Sequence, residues 1–500
     1  MNLDEYLASD ATALAALVAD KQVTAAELLA LARRRADQVN PHINAIVRTL
    51  DEVADARAVE TLDGPMAGVP FLVKDLAQEY AGFPTSSGSH ALADDVADEH
   101  ALVTQRFLDA GLVIFGKTNT PEFGAKGITE DDLLGRARNP WNVAHTPGGS
   151  SGGSGAAVAA GIVPAAGAND GGGSVRIPAA CNGLVGLKLS RGFTPYGPQG
   201  SESMFGMVTQ GVVSRTVRDS AALLDAIVGA PTRYAAYVAQ AAAPFLPELT
   251  RPPERLRIGY TASSAINPSP DPEAIAAMEG AVELLTALGH EVEAVQPPHD
   301  DDALARDFLT IWFAQLHGQI SAIKKRLGSP DSAFAADSLA VAEIGRAAGV
   351  GALFAALDNI NLHIRALDDF HQRYDLLLTP TLAKPPLEVG SVDTPAMLQR
   401  ASRVIAKVHA GKLLNATGIL DQLITDNLGW VPYTQLANLT GRPAISVPLH
   451  WTTTGLPLGV QLVGPLASDG LLLRLAAQLE EAQPWFHRYA DLDPALTAGR

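Results

Sequence analysis

Two hydrophobic periods exchange regularly along this chain, and that exchange restricts its architecture more than any other feature. VTAAELLALARRRADQVNP (23–41) carries a helical period, with Thr24 set as N-cap, Glu27 closing a capping box and Pro41 expected just past the end. NAIVRTL (44–50) then reads as a strand, DEVADARAVETL (51–62) as a helix, GVPFLVKD (68–75) as a strand, EHALVTQRFLDAG (99–111) as a helix and GLVIFG (111–116) as a strand. The rhythm returns in RLRIGYT (255–261), the helix DPEAIAAMEGAVELLTALG, HEVEAV (290–295), YDLLLTPT (374–381), PAISVPL (443–449) and PLGVQLVG (457–464), followed by the helix DGLLLRLAAQLEEA. Such alternation predicts an α/β fold with a parallel or mixed sheet. Between about 300 and 370 the pattern is almost wholly helical, an insertion expected to cover one face of the sheet. The Pro-rich APFLPELTRPPE (243–254) is the best linker candidate, although strands on both sides of it can share one sheet. With 47% apolar residues in 500, a large core is available, and the expectation is one domain over 1–500.

Charge narrows the partners. Lys and Arg total 37 against 54 Asp and Glu, a formal −17, which repels phosphate backbones and anionic membrane surfaces and argues against nucleic acid. A lone cysteine, Cys181, cannot form an internal disulfide and suits a reducing compartment. The acidic start MNLDEYLASD is unlike a signal peptide, and the apolar stretches look shorter than the roughly 20 residues a spanning helix needs. The expected setting is cytoplasmic. The oligomeric state is not fixed by sequence, and a homodimer stays open.

Two motif matches fail on context. GLVIFGKT (111–118) satisfies G-x-x-x-x-G-K-[ST], but its variable positions are the strand itself, where a phosphate cradle needs a turn after one. GGSSG (148–152) satisfies G-x-S-x-G with Ser150 central, yet ARNPWNVAHTP before it is no hydrophobic strand, as a nucleophile elbow requires.

Chemistry emerges from three pieces taken together. In ANDGGGSVRIPAA the side-chain-free Gly171, Gly172 and Gly173 let the backbone bend before Ser174, so that the N–H groups of Gly171 to Ser174 could converge as an oxyanion hole. Ser174 is then the candidate nucleophile. It needs a base, and Lys74 closes the apolar strand GVPFLVKD, where burial would favour its neutral amine. HTPGGSSGGSGAAVAAG (145–161) supplies Ser150 and an Ala-rich helix.

Lys74, GGSSGG and DGGGSVRIPA, in this order, resemble the motif set of the amidase signature family, as do PHINAI, GKTNTPEF, RNPW, GLVGLKLSRG, VSRTVRDSA, YDLLLTPT, NLTGRPAISVP and LPLGVQLVG. The resemblance implies the amidase signature fold, a central mixed, twisted β-sheet with helices on both faces. It implies a Ser-cisSer-Lys triad: Lys74 the base, Ser150 the relay after a cis Gly149–Ser150 bond, Ser174 the nucleophile of an acyl-enzyme. Asp170 and Arg176 would brace the nucleophile loop, and Ser151 would help place Lys74. Asn169-Asp170-Gly171-Gly172-Gly173-Ser174 departs from the common T-D-T-G-G-S and looks closer to the subgroup that includes 6-aminohexanoate cyclic-dimer hydrolases. The extra glycine would make room for a bulkier or cyclic acyl group. The implied activity is hydrolysis of linear or cyclic amides, with esters and carbamates open to the same chemistry, on a small-molecule substrate and with neither metal nor cofactor. The alternative is the glutamine-hydrolysing subunit of a tRNA-dependent amidotransferase; a non-catalytic binding protein is disfavoured by the three chemical residues. Gly149, Trp312 and Phe313 are the candidate substrate contacts, the aromatics being equally readable as core.

Overall fold

The computed structural model describes residues 1–228, 234–407, 424–425 and 427–492. Its strands are β1 (Ile46–Thr49), β2 (Pro70–Lys74), β3 (Val113–Thr118), β4 (Ala165–Asp170), β5 (Val185–Lys188), β6 (Thr209–Ser214), β7 (Arg257–Tyr260), β8 (Glu291–Ala294), β9 (Leu376–Pro380), β10 (Ala444–Trp451) and β11 (Pro457–Val463). They form two sheets. The larger runs β4-β6-β5-β10-β11-β9-β7-β8, antiparallel as far as β9 and parallel beyond it; the smaller runs β1-β3-β2. The Pro-rich stretch 243–254 holds a short helix, Phe245–Glu248, and joins strands of one sheet.

Alternating side chains of the large sheet feed two cores. Leu378, Ile445 and Leu462 pack with the helices Pro272–Ala287 and Asp469–Ala482, while their neighbours Leu377, Ala444 and Val463 pack with the helices Asp301–Leu327 and Ala336–His371. Both faces are thereby covered, and the strands need apolar residues on each.

Several expectations need adjusting. Thr24 and Glu27 form the capping box, but the helix runs Ala25–Ile43 with Pro41 inside its last turn, and left-handed Asn44 ends it with a bond from its N–H to the Asn40 carbonyl. Lys117 and Thr118 belong to β3; Lys117 is buried, bonded to Thr85 and 3.8 Å from Asp75, with no phosphate cradle around it. The helix Ala336–His371 is long and apolar enough to cross a membrane by length and composition, which the apolar runs of the sequence had not suggested. It kinks at Gly349, and its Leu339, Ala342, Ile344, Leu367 and Phe370 are buried.

Among the described residues no ladder runs between the two sheets; side chains join them, Lys74 reaching Asn169 of β4 and Gln78 bridging the backbones. Gln78 Oε1 accepts the Lys74 N–H of β2 at 2.8 Å, and Gln78 Nε2 donates to the Ala168 carbonyl of β4 at 3.1 Å. A Cβ on Gly167 would lie 2.3 Å from Gln78 Oε1, so β4 must be bare there for this stitch to fit.

Candidate active site

Lys74 is the last residue of β2 and fully buried. Its Nζ lies 2.7 Å from Ser150 Oγ and 2.8 Å from Asn169 Oδ1. Burial holds its pKa well below the usual lysine range, against the field of Asp170, which favours the neutral amine. A neutral amine has two N–H bonds and a lone pair. With one N–H given to the Asn169 carbonyl oxygen, the lone pair can face the Ser150 hydroxyl.

Ser150 sits in the turn before the helix Gly152–Ala159, every residue of which is buried. The Gly149–Ser150 bond is cis. Side chains are excluded around it: a Cβ at Gly152 would lie 2.3 Å from Thr129 Oγ1, and one at Gly153 2.3 Å from the Asn119 nitrogen. Thr129 Oγ1 also donates to the Gly148 carbonyl and accepts the Gly152 N–H, clamping the turn from both ends.

The third member of the group, a second serine hydroxyl, comes from beside the other sheet. After β4 the chain turns through Gly171–Gly173 to the half-buried Ser174, just before the helix Arg176–Asn182. Asp170 governs this turn. It receives the Gly173 N–H at 2.7 Å, the Val175 N–H at 3.1 Å, both arms of Arg176 at 3.0 and 2.9 Å, and Asn438 Nδ2 at 2.9 Å. Burial alone would raise its pKa; the Arg176 guanidinium and these hydrogen bonds bring it down to about 2, so it stays a carboxylate. Arg176 reaches on to the Thr434 carbonyl, Gln461 and Asn438, tying the turn to the C-terminal strands.

A cavity of about 200 Å³ opens on Ser150, Ser174, Gly171 and Gly172, walled by Phe123, Ile177, Met204, Phe308, Trp312 and Val431 among others. Among the described residues that line it there is no Asp or Glu, and Lys126 is paired with Asp337 at 2.7 Å.

The structure revises several expected roles. Gly173 gives its N–H to Asp170, so of the four expected donors only Gly171, Gly172 and Ser174 keep N–H groups that no described residue takes up. Ser151 Oγ bonds the backbone of Asn169 at 3.4 Å and reaches Lys74 only through that residue. Trp312 lines the cavity, but Phe313 turns into the core, 3% exposed, beside Gly345. Gly149 lies against the Ile128 backbone, not in the cavity wall. Sequence reasoning missed Asn169, Gln78, Thr434, Gln435, Asn438 and Gln461. The last four lie in or beside NLTGRPAISVP and LPLGVQLVG, whose polar positions within apolar runs were the available signal.

The family model described as Amidase matches residues 27–473. A 6-aminohexanoate-cyclic-dimer hydrolase of Pseudomonas sp. (strain NK87) is 36% identical over 492 residues, covering 97% of this chain and 96% of its own. A solved structure of 6-aminohexanoate cyclic dimer hydrolase complexed with substrate superposes with a TM-score of 0.88 at 34% identity, over 97% of this chain and 99% of that one. A glutamyl-tRNA(Gln) amidotransferase subunit from Thermotoga maritima is more distant, at TM-score 0.75 and 26% identity, over 97% and 95% of the two chains.

Proposed function

The chain belongs to the amidase signature family of hydrolases acting on amides, and from that premise we propose that it cleaves neutral linear or cyclic amides through an acyl-enzyme on Ser174. The observation that carries this reading is the Lys74–Ser150 contact beside a cavity lined also by Ser174 and by Gly171 and Gly172, whose N–H groups no described residue takes up. In the forward step Ser174 Oγ attacks the amide carbon and gives its proton to Ser150, which passes its own to Lys74 Nζ. The oxyanion is held by the N–H groups of Gly171, Gly172 and Ser174. Return of the proton along the same relay to the amide nitrogen breaks the C–N bond and releases the amine. Water then repeats the relay on the acyl-enzyme and frees Ser174.

The cavity favours uncharged substrates. Glutamine would bring an ammonium and a carboxylate, and the described lining offers no acidic group for the first. Gly171 supports a bulky acyl group, since a Cβ there would lie 3.0 Å from Val208 and 3.7 Å from Met204 and narrow the cavity. The test is direct: the purified chain alone should hydrolyse aryl amides and the cyclic 6-aminohexanoate dimer. Activity confined to glutamine, and only with a partner protein, would overturn the reading in favour of the amidotransferase role.

Asn169 sets a pH dependence that can be checked separately. A carboxylate in its place would favour the charged ammonium of Lys74 and raise its pKa. Asn169→Asp should therefore shift the acid limb of the kcat/KM profile to higher pH, lowering activity near neutrality and restoring part of it in alkali. An unmoved acid limb would mean that Lys74 is not the group whose protonation stops the reaction.

A further inference from the structure

Gln435 is 2% exposed, lines the cavity, and is not used in the mechanism above. Its Nε2 donates to the Gly172 carbonyl at 3.3 Å, and the same carbonyl accepts Thr434 Oγ1 at 2.6 Å. That carbonyl fixes which way the amide faces, because the reverse orientation would set two oxygens against each other. Gln435 Oε1 is then left buried with no protein partner, the one such acceptor among the described cavity-lining residues. A buried acceptor without a donor is unfavourable, so a ligand that supplies an N–H is favoured over one that does not.

We infer that Gln435 is a specificity-determining residue: its Oε1 accepts an N–H of the bound amide, so the site selects secondary and primary amides over esters and N,N-disubstituted amides. This deepens the amidase reading and rests on it. The placement supports it, since the carbonyl that Gln435 holds belongs to Gly172, which lines the cavity and whose N–H no described residue takes up, leaving it free to serve as an oxyanion donor. An acyl carbon bound at that donor puts its nitrogen or ester oxygen within the same small volume. An N–H there satisfies Oε1. An ester oxygen presents lone pairs to it and leaves both acceptors unpaired, the situation in which a hydrogen-bonding site discriminates most strongly.

The test compares p-nitroacetanilide with p-nitrophenyl acetate, which share an acyl group, on the native chain and on Gln435→Met. Loss of the Nε2 bond to Gly172 weakens the oxyanion loop for both substrates alike, so the informative quantity is the anilide-to-ester ratio of kcat/KM. The ratio should fall about tenfold, the effect of one neutral hydrogen bond, while the ester rate reports that the fold is intact. Equal losses on both substrates would make Gln435 a brace for Gly172 and overturn the inference, as would an unchanged ratio. Should Gln435→Met fail to fold, Gln435→Asn, which withdraws the acceptor by one methylene, must show the same selective loss. A native chain that turns over neither substrate defeats the amidase reading instead; affinity for the anilide then decides, with the inference standing only if Gln435→Met weakens anilide binding and leaves binding of its N-methyl analogue unchanged.

Discussion

Ser174→Ala should lose turnover by on the order of 10⁵–10⁶, the scale seen when the nucleophile of an acyl-enzyme mechanism is removed, and should no longer be labelled by a fluorophosphonate. The size of the effect follows from position. Ser174 stands at the cavity, half-buried, directly after the turn whose free N–H groups could hold an oxyanion. Ser150 is 2% exposed and lies against Lys74, where its oxygen is engaged. Ser174 is thus the serine that combines the cavity with the neighbouring unbonded N–H groups of Gly171 and Gly172. The variant should fold normally, because Ser174 makes no side-chain bond that the surrounding turn depends on; that turn hangs on Asp170. Mass spectrometry of the labelled native chain locates the adduct, and an adduct on Ser150 would exchange the two roles.

Lys74→Ala should lower turnover by about 10² to 10⁴, the usual contribution of a general base. The loss should be smaller than for Ser174, because water in the vacated space could relay protons weakly while the nucleophile and oxyanion donors remain. Stability supplies an independent check. Burial keeps the folded-state pKa of Lys74 well below the value of about 10.4 for an unfolded lysine. Between those two values the unfolded chain binds one more proton than the folded one, so this residue makes the fold gain stability as pH rises through that window. Lys74→Met, which fills the volume without titrating, should remove one proton from the pH slope of unfolding. An identical slope in the two chains would mean that Lys74 is charged in the fold and cannot serve as the base.

The sequence was informative wherever an element obeys a simple period. β2, β3, β9 and β11 are rich in Val, Leu, Ile or Phe and stood out; β4, AAGAND, did not, because its small residues are dictated by what packs on it, Gln78 above all. Lys74, Ser150 and Ser174 were legible because their residue types and order are chemically distinctive. Asn169 was not, since an amide that orients an amine needs no fixed spacing to it. The glycine run showed that the backbone could bend, but Asp170 takes up the Gly173 N–H, and that removes it from the free donors. Trp312 and Phe313 show a related limit. Neighbours on a helix point about 100° apart, so one lines the cavity while the other enters the core.

The seam at Gln78 has a kinetic meaning. Base and nucleophile belong to separate sheets, each with its own ladder, and the described bonds from β2 to β4 are made by side chains, Gln78 to the Ala168 carbonyl and Lys74 to Asn169. On dilution from denaturant, backbone order can return before these two bodies settle against each other. Catalytic recovery therefore times their docking, and it should lag the recovery of far-ultraviolet circular dichroism.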